Sequence, residues 1–567
     1  MATIIVQPGG ERAGRQRVNL TAIAHNRLML LLILFLGITA LLIGRLLWVG
    51  IFTPGATGDD ALSAFLPARA DIVDRNGVPL ARTMDAYSIA VRPSKLIGDP
   101  VELARKLHEI FPDEGEAAFH KKLTGRGWAY LRRRALPEQV AAVNALGEIG
   151  IEFPREKERL YPQRTLGAHV LGFAPNADGA GGMGVEAAFN DRLIDAAQRG
   201  KPFAISIDSR VQGALESELY AQLVAQKAKG AGGIILDANT GEVIAMASIP
   251  VFDPNKLQNY AGTRCSDSPL CNHMVQARYE LGSAFKPLSI AGAMDAGVVT
   301  SMSKRYDATA PLAVAGFRIK DDHPMGRWIN VPETLVHSSN IATARIADEM
   351  GAATLQRLYR NLDFDQRAPI EFNERAKGIW PSSWGRITTM TASYGHGIAV
   401  TPLHLATAYA ALVNGGIWRP ATVRKLRPQD VPEGRRVFSA ATSARMRQLL
   451  RMIVSAGTGR SADAKGYRVG GKTGSAEKPQ EGRYNKTSLV TTFASAFPMD
   501  NPRYVVVAIM DEATSSLGLR TAAWTAAPVV KRVIERTGPM LGVMPDESRD
   551  VDISDLMPLL HGDKEKE

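Results

Sequence analysis

Residues 232–248, GGIILDANTGEVIAMAS, read as a strand, a turn at Asn239-Thr240-Gly241 and a second strand. Just upstream, Val211–Lys229 has helical periodicity and Gly230 follows as a stop. Far downstream, Tyr504–Met510 (YVVVAIM) is an unbroken apolar run suited to a buried strand, and Ala522–Arg536 is helical in pattern. Two strands, a large and mainly helical insert, further strands and a closing helix predict an α+β domain, here placed over residues 204–545.

Working outward toward the N-terminus, residues 53–203 have a different texture. Residues 53–67 (TPGATGDDALSAFLP) form a stalk of small, turn-forming residues. RADIVDRNGVPLA, residues 69–81, places two short apolar runs around Asn76-Gly77, a strong hairpin signal. Helices are predicted near Val101–Phe111 and Glu138–Leu146, with no catalytic constellation, so the module reads as a spacer or docking pedestal.

Before the stalk, Arg12, Arg15, Arg17 and Arg27 stand against one acid, Glu11, and Leu28–Gly44 then runs without a charge. As a helix that run spans about 26 Å, close to the hydrocarbon thickness of a bilayer. Arg45 near its outer end can snorkel to the headgroups and Trp48 suits the interface. Residues 1–27 are therefore expected in the cytoplasm, 28–52 as a single-pass anchor, and the rest outside. A cleaved signal peptide is the rival, but the apolar run is longer than usual and no clear Ala-x-Ala site follows. The chain of 567 residues is long enough for more than one core, and its hydrophobic (45%) and charged (22%) shares are those of a folded protein. The surplus of 68 Lys and Arg over 57 Asp and Glu, a net +11, alone would allow a nucleic-acid partner. The expected location outside the membrane and the lack of a GxxxxGK[ST] loop argue against nucleic acid and ATP. Cys265 and Cys271 are either a disulfide closing a small loop or two ordinary thiols. Residues 546–567, ending GDKEKE, read as a charged flexible tail.

The chemistry begins with YELGSAFKPLSIAGAMDAG, residues 279–297. Ser283 opens an apolar-periodic helix that Gly297 can end, and Pro287 is tolerated in its first turn. Lys286 lies one turn on, on the same face. A serine hydroxyl is a weak nucleophile until a base takes its proton, and a desolvated lysine can be that base. Bare S-x-x-K is weak by itself, because Ser301–Lys304 and Ser475–Lys478 also fit and a helix cap explains Ser283 equally well. Further along, His337-Ser338-Ser339-Asn340 precedes a helical run, IATARIADEM, and offers a hydroxyl and an amide at Ser338 and Asn340. In YRVGGKTGSAEK, Lys472 and Thr473 offer an ammonium and a hydroxyl fit for a carboxylate, and Gly474 allows close approach of the strand backbone. His337 and His396 attract notice, but no Ser-His-Asp arrangement emerges from their spacing.

The ordered trio S-x-x-K, S-x-N, K-T-G resembles the signature of penicillin-binding proteins and serine β-lactamases. RADIVDRNG (69–77), RLYP (159–162), GGMGVE (181–186), the hairpin at 232–248, GIAVTPLHLATAYAALVNGG (397–416) and NPRYVVVAIMDE (501–512) resemble class B members. The SSN motif and residues 476–500 look most like the cell-division D,D-transpeptidases of that class. The resemblance implies an elongated pedestal and a penicillin-binding domain with an antiparallel sheet, flanking helices and an all-helical subdomain. It implies Ser283 as acylated nucleophile, Lys286 as base, and Ser338 and Asn340 as proton relay and amide clamp. Lys472, Thr473 and Gly474 would hold the terminal carboxylate of a D-Ala-D-Ala stem peptide, and the N–H groups of Ser283 and Ser475 the oxyanion. Arg69, Asp74 and Glu186 are implied as structural residues of the pedestal. Leu281 stands where proline is common, and Ser475 where threonine is. Implied partners are peptidoglycan stem peptides, β-lactams, a SEDS-family glycosyltransferase (FtsW in the division pathway) and other division proteins. Arg45 is a candidate contact within the membrane, or simply a snorkelling cation. No metal or organic cofactor is called for. Within or beside the class stand an elongation transpeptidase, a D,D-carboxypeptidase or β-lactamase-like hydrolase, and a catalytically silent scaffold.

Overall fold

The computed structural model describes residues 11–52, 68–175, 182–257, 265, 268–480 and 483–560. Side chains are described for all of these except 11–21, 49–52, 479–480 and 483–487. The stalk at 53–67 and the terminal GDKEKE lie outside the described residues. The chain divides into one unit ending at Pro67 and a second running from Ala68.

The first unit is a helix, α1 (Glu11–Phe52). Its stretch Ala22–Trp48 is long and apolar enough to cross a membrane, and none of it is buried in protein. Arg45 and Trp48 lie on it, both exposed.

The second unit begins with the expected hairpin. β1 (Ile72–Val73) pairs antiparallel with β2 (Pro79–Val91) across the Asn76-Gly77 turn, where Gly77 has φ +88°. Asp74 Oδ1 accepts the backbone N–H groups of Asn76 (2.7 Å) and Val78 (2.8 Å), an Asx-type closure of the turn. β3 (Ala129–Ala135) and β4 (Arg155–Leu160) extend β2, and β5 (Phe203–Ala204) returns parallel to β1. Two helices, Pro100–Ile110 and Glu116–Leu123, close a small core that includes Phe111 and Phe119, with ring centroids 6.1 Å apart.

The sheet that carries the site contains the hairpin read first from the sequence. After α2 (Ser209–Ala225) come β6 (Gly230–Asp237) and β7 (Val243–Ile249); the helix ends at Ala225, with Gln226 as its C-cap, rather than running to Lys229, so Gly230 does not stop it but opens a strand. α3 (Lys286–Asp295), α4 (Val331–Val336), α5 (Asn340–Met350), α6 (Pro402–Val413) and α7 (Ala440–Ala456) make up most of the helical insert. The chain then returns through β8 (Gly470–Gln480), β9 (Arg483–Phe497) and β10 (Tyr504–Asp511), and closes with α8 (Ala527–Thr537). The sheet is antiparallel throughout, in the order β8-β9-β10-β6-β7. β10 sits at its centre, and seven of its eight residues are buried. This explains why YVVVAIM is apolar without alternation: both faces are covered. α2 and α8 share one apolar cluster with the sheet, and α6, mainly apolar with His404 and Thr407 hydrogen-bonded among its residues, is buried along its whole length, its apolar side chains in the other.

Two expectations need adjustment, and one open alternative, at the cysteines, is resolved. α8 begins at Ala527, not near Ala522, because Pro528 fits a first helical turn and disfavours helix immediately before it. Cys265 and Cys271 are joined as a disulfide. Residues 546–560, expected as part of a flexible charged tail, are packed onto the body: Leu556 is 1% exposed, and Val551, Ile553, Leu559 and Leu560 lie against the core.

Candidate active site

Ser283 sits in a tight helical turn, Gly282–Phe285, that runs directly into α3, so it precedes the regular helix rather than opening it. Gly297, with φ +71°, ends that helical stretch as expected. The turn is pinned from two sides, by α6 and by β8. Tyr409 Oη on α6 donates to Ala284 O at 2.8 Å. Gly282 (φ +54°) lies so close to β8 that an added Cβ would be 2.7 Å from Ser475 O, and one on Gly474 would be 2.3 Å from Leu281 O. These contacts give a reason for glycine at both positions that the sequence supplied only for Gly474. They also bring the backbones of Ser283 and Ser475 to one spot on the sheet edge. Ser475 is exposed there, its Oγ accepting from Ala522 N–H at 3.2 Å, and Leu281 is buried in the core.

Lys286, completely buried at the start of α3, directs Nζ at the turn between α4 and α5. It donates to Ser338 O and lies 3.1 Å from Ser338 Oγ. Lys472 on β8, also completely buried, lies 2.9 Å from the same Oγ, 3.1 Å from Thr473 O and 3.2 Å from Thr473 Oγ1. One hydroxyl thus stands between two amines from elements 186 residues apart in sequence. Ser338 reaches this place in the left-handed region, at φ +61°, a conformation non-glycine residues rarely adopt. The turn is held by its neighbours. Ser339 Oγ caps α5 at Ala342 N–H and donates to Asp321 Oδ2 (2.8 Å), while Asp321 Oδ1 accepts Ile341 N–H (3.0 Å) and Asn340 Nδ2 donates to Lys320 O (2.9 Å).

Burial controls the charge of the pair. Loss of solvation pushes Lys286 down to about 7, against the pull of Asp321 and Asp322. Lys472 is likewise held well below the ordinary lysine value, by burial first and by the Lys286 charge second. Near neutral pH a substantial share of Lys286 is therefore unprotonated and able to accept a proton, which an exposed lysine is not. An anion arriving at Lys472 would favour its charged form, so the site can bind a carboxylate without holding two full charges beforehand.

Asp321 and Thr458 were not marked in the sequence. Thr458 Oγ1 lies 3.2 Å from Thr473 Oγ1, and neither residue belongs to a motif with spacing that would have revealed it. His396 pairs with Glu280 at 3.0 Å beside the Ser283 turn, and that carboxylate raises its affinity for a proton. Among the described residues no group of three His, Cys, Asp or Glu could hold a metal ion.

Arg69, Asp74 and Glu186 lie apart from these groups. Glu186, fully buried, receives Arg69 Nε at 2.5 Å on one oxygen and Arg159 Nε at 2.7 Å on the other. Asp74 Oδ2 accepts from Ser209 N–H (3.1 Å) and Oγ (2.7 Å), which links the pedestal hairpin to the start of α2.

Residues 231–535 match the penicillin binding protein transpeptidase domain, and residues 65–194 the penicillin-binding protein dimerisation domain. A probable peptidoglycan D,D-transpeptidase FtsI of Caulobacter vibrioides is 38% identical, covering 88% of this chain and 85% of the relative. The probable peptidoglycan D,D-transpeptidase PenA of Neisseria gonorrhoeae is 30% identical over 85% of this chain and 86% of its own. The peptidoglycan D,D-transpeptidase FtsI of Escherichia coli K12 is 28% identical over 89% and 90%.

Proposed function

The chain belongs to the penicillin-binding protein transpeptidase family, and from that premise we propose that it is a serine-type peptidoglycan D,D-transpeptidase of the FtsI kind. The observation that carries this reading is the placement of Ser338 Oγ within 3.1 Å of Lys286 Nζ and 2.9 Å of Lys472 Nζ, next to the Ser283 turn.

In the reaction, Ser283 Oγ attacks the carbonyl of the penultimate D-alanine of a donor stem peptide. Its proton passes to neutral Lys286, directly or through Ser338. The oxyanion that forms is met by the N–H groups of Ser283 and Ser475, donors fixed beforehand by the contact of Gly282 with β8. Lys472 and Thr473 hold the terminal carboxylate, Gly474 lets it approach, and Asn340 clamps the substrate amide. Collapse expels D-alanine, whose nitrogen takes the proton held by Lys286. The amine of a second stem peptide then attacks the acyl-serine and loses a proton to Lys286, which passes it to the departing Ser283 Oγ, so that a new peptide bond forms and both the serine hydroxyl and the neutral lysine are restored. A β-lactam enters by the first step and remains as a stable acyl-serine, with its carboxylate on Lys472 and Thr473.

The same reading places residues 1–27 in the cytoplasm, the anchor at 28–52, the pedestal at 53–203 and the catalytic domain at 204–545 outside the bacterial cytoplasmic membrane. The arginines before the apolar run support that orientation. We assign the cross-linking to septal wall, with a SEDS-family glycosyltransferase supplying glycan and Arg45 as a contact within the membrane; the 38% identity to an FtsI protein supports the division assignment.

The test offers the full chain in detergent a D-Ala-D-Ala-ended stem peptide with and without an amine-bearing acceptor peptide. The expected result is D-alanine release with acceptor-linked product. Release with only the hydrolysed donor would make it a carboxypeptidase, and no release from folded protein would favour the silent scaffold.

A further inference from the structure

The segment after Val543 has a course that the function above does not use. Asp550 accepts Nε and Nη2 of Arg451 on α7 at 2.7–3.0 Å. The same guanidinium donates through Nη1 to Asp463 (2.8 Å) and to Val469 O (3.1 Å). Val469 immediately precedes β8, and a Cβ on Gly470 would stand 3.0 Å from Arg451 N, so α7 and the root of the Lys472 strand are in close contact. Farther on, Gln448 Nε2 donates to Asp552 O at 2.7 Å, Arg445 meets Asp555 at 2.5 Å, and Leu556 is buried. At the far end Asn330 Nδ2 donates to Leu559 O at 2.6 Å. Asn330 is the N-cap of α4, its Oδ1 accepting Glu333 N–H at 3.0 Å, and α4 ends at Val336, two residues before Ser338. One segment therefore joins the root of the strand that carries Lys472 to the cap of the helix that delivers Ser338.

We propose that residues 550–560 are a positioning strap, with Asp550 and Asn330 as positioning residues that hold the Lys472 strand and the Ser338 turn in register for acylation of Ser283. A strap of this kind acts across α7, because neither end touches the reacting groups. Its effect is on how well two buried amines converge on one hydroxyl, and small misplacements of catalytic groups are costly. The inference rests on the proposed role of Ser283 only for its kinetic readout.

The test uses the full chain in detergent. Asp550→Asn keeps the shape of the side chain and removes the charge that Arg451 holds. Asn330→Ser keeps a helix cap but cannot reach Leu559 O. Each variant should lower the first-order acylation constant for benzylpenicillin at saturation by about tenfold. The pre-acylation binding constant should change less, and Asp550→Glu should restore part of the rate. Native-state hydrogen exchange of amides 470–476 and 334–340 should accelerate selectively, and this reads the strap whether or not Ser283 is acylated. Acylation constants equal to the parent would overturn the proposal. So would exchange that rises evenly across the domain, which would mark the segment as general ballast. A parent protein that never acylates Ser283 would instead refute the proposed function, and selective exchange would still decide the strap.

Discussion

Acylation of Ser283 should depend on pH through Lys286, and the structure fixes both sign and size. The perturbation is pH itself, at constant ionic strength, with benzylpenicillin as the acylating agent because its carboxylate stays ionised throughout. Burial lowers Lys286 from the ordinary 10.5 to about 7, which corresponds to about 5 kcal/mol against charging the amine in place. The neutral amine is the active form. With a value near 7, its fraction is roughly 0.9 at pH 8 and 0.1 at pH 6, so the acylation constant should fall about tenfold across that interval and about tenfold per unit below it. Lys472 shares the Ser338 hydroxyl, so the acid limb belongs to the pair and not to one residue alone. Linkage supplies a second readout. The unfolded lysine keeps its proton up to about 10.5 and the folded one releases it near 7, so between these values the unfolded state binds more protons. Stability should therefore rise with pH across that window and be flat, for this group, below it. Stopped-flow acylation with a fluorescent penicillin measures the first, and thermal unfolding from pH 6.5 to 9.5 the second. An acylation constant that is unchanged from pH 8 to 5.5, or that climbs only above pH 9.5, would refute the assignment of Lys286 as base.

Other substitutions follow from the same geometry. Lys286→Met should abolish acylation yet raise the thermal midpoint at pH 7, with a net gain of about 1–3 kcal/mol as desolvation of the amine outweighs its two lost contacts to Ser338; calorimetry beside penicillin labelling checks both halves. Gly282→Ala combines a positive φ with a Cβ placed 2.7 Å from Ser475 O, so it should displace the nucleophile turn and slow penicillin labelling by about a hundredfold. Glu186→Gln leaves Arg69 and Arg159 without their buried counter-charge, at a cost of about 3–5 kcal/mol. Chemical denaturation should show that loss, while labelling of the molecules that remain folded stays at the parent rate.

The sequence revealed features whose determinants are local. The 232–248 hairpin, the apolar run at 504–510 and the Gly297 stop after α3 are written in short-range patterns, and the structure contains each, whereas the N-terminal cap that Ser283 suggested is not formed. The three motifs were equally legible, but not how they meet. Nothing in HSSN announces that Ser338 takes φ +61°, or that one hydroxyl will stand between Lys286 and Lys472, because these depend on elements folded together from distant parts of the chain. Asp321 and Thr458 carry no sequence signal for the same reason: Asp321 holds Ser339 and Ile341, Thr458 meets Thr473, and neither belongs to a periodic pattern. The order of 546–560 is not legible in the sequence because Val551, Ile553 and Leu556 are scattered among five acids and together follow neither a helical nor a strand period. Its order comes from Arg445 and Arg451, contributed by a helix about a hundred residues earlier.

The central claim is that Ser283 is the acylated nucleophile, and intact-mass measurement of the full chain after incubation with benzylpenicillin tests it most directly, with peptide mapping to locate the adduct. A single adduct on Ser283, absent from Ser283→Ala, is the predicted result. An adduct on Ser301 or Ser475, the other serines of S-x-x-K spacing, or none on demonstrably folded protein, would contradict the account.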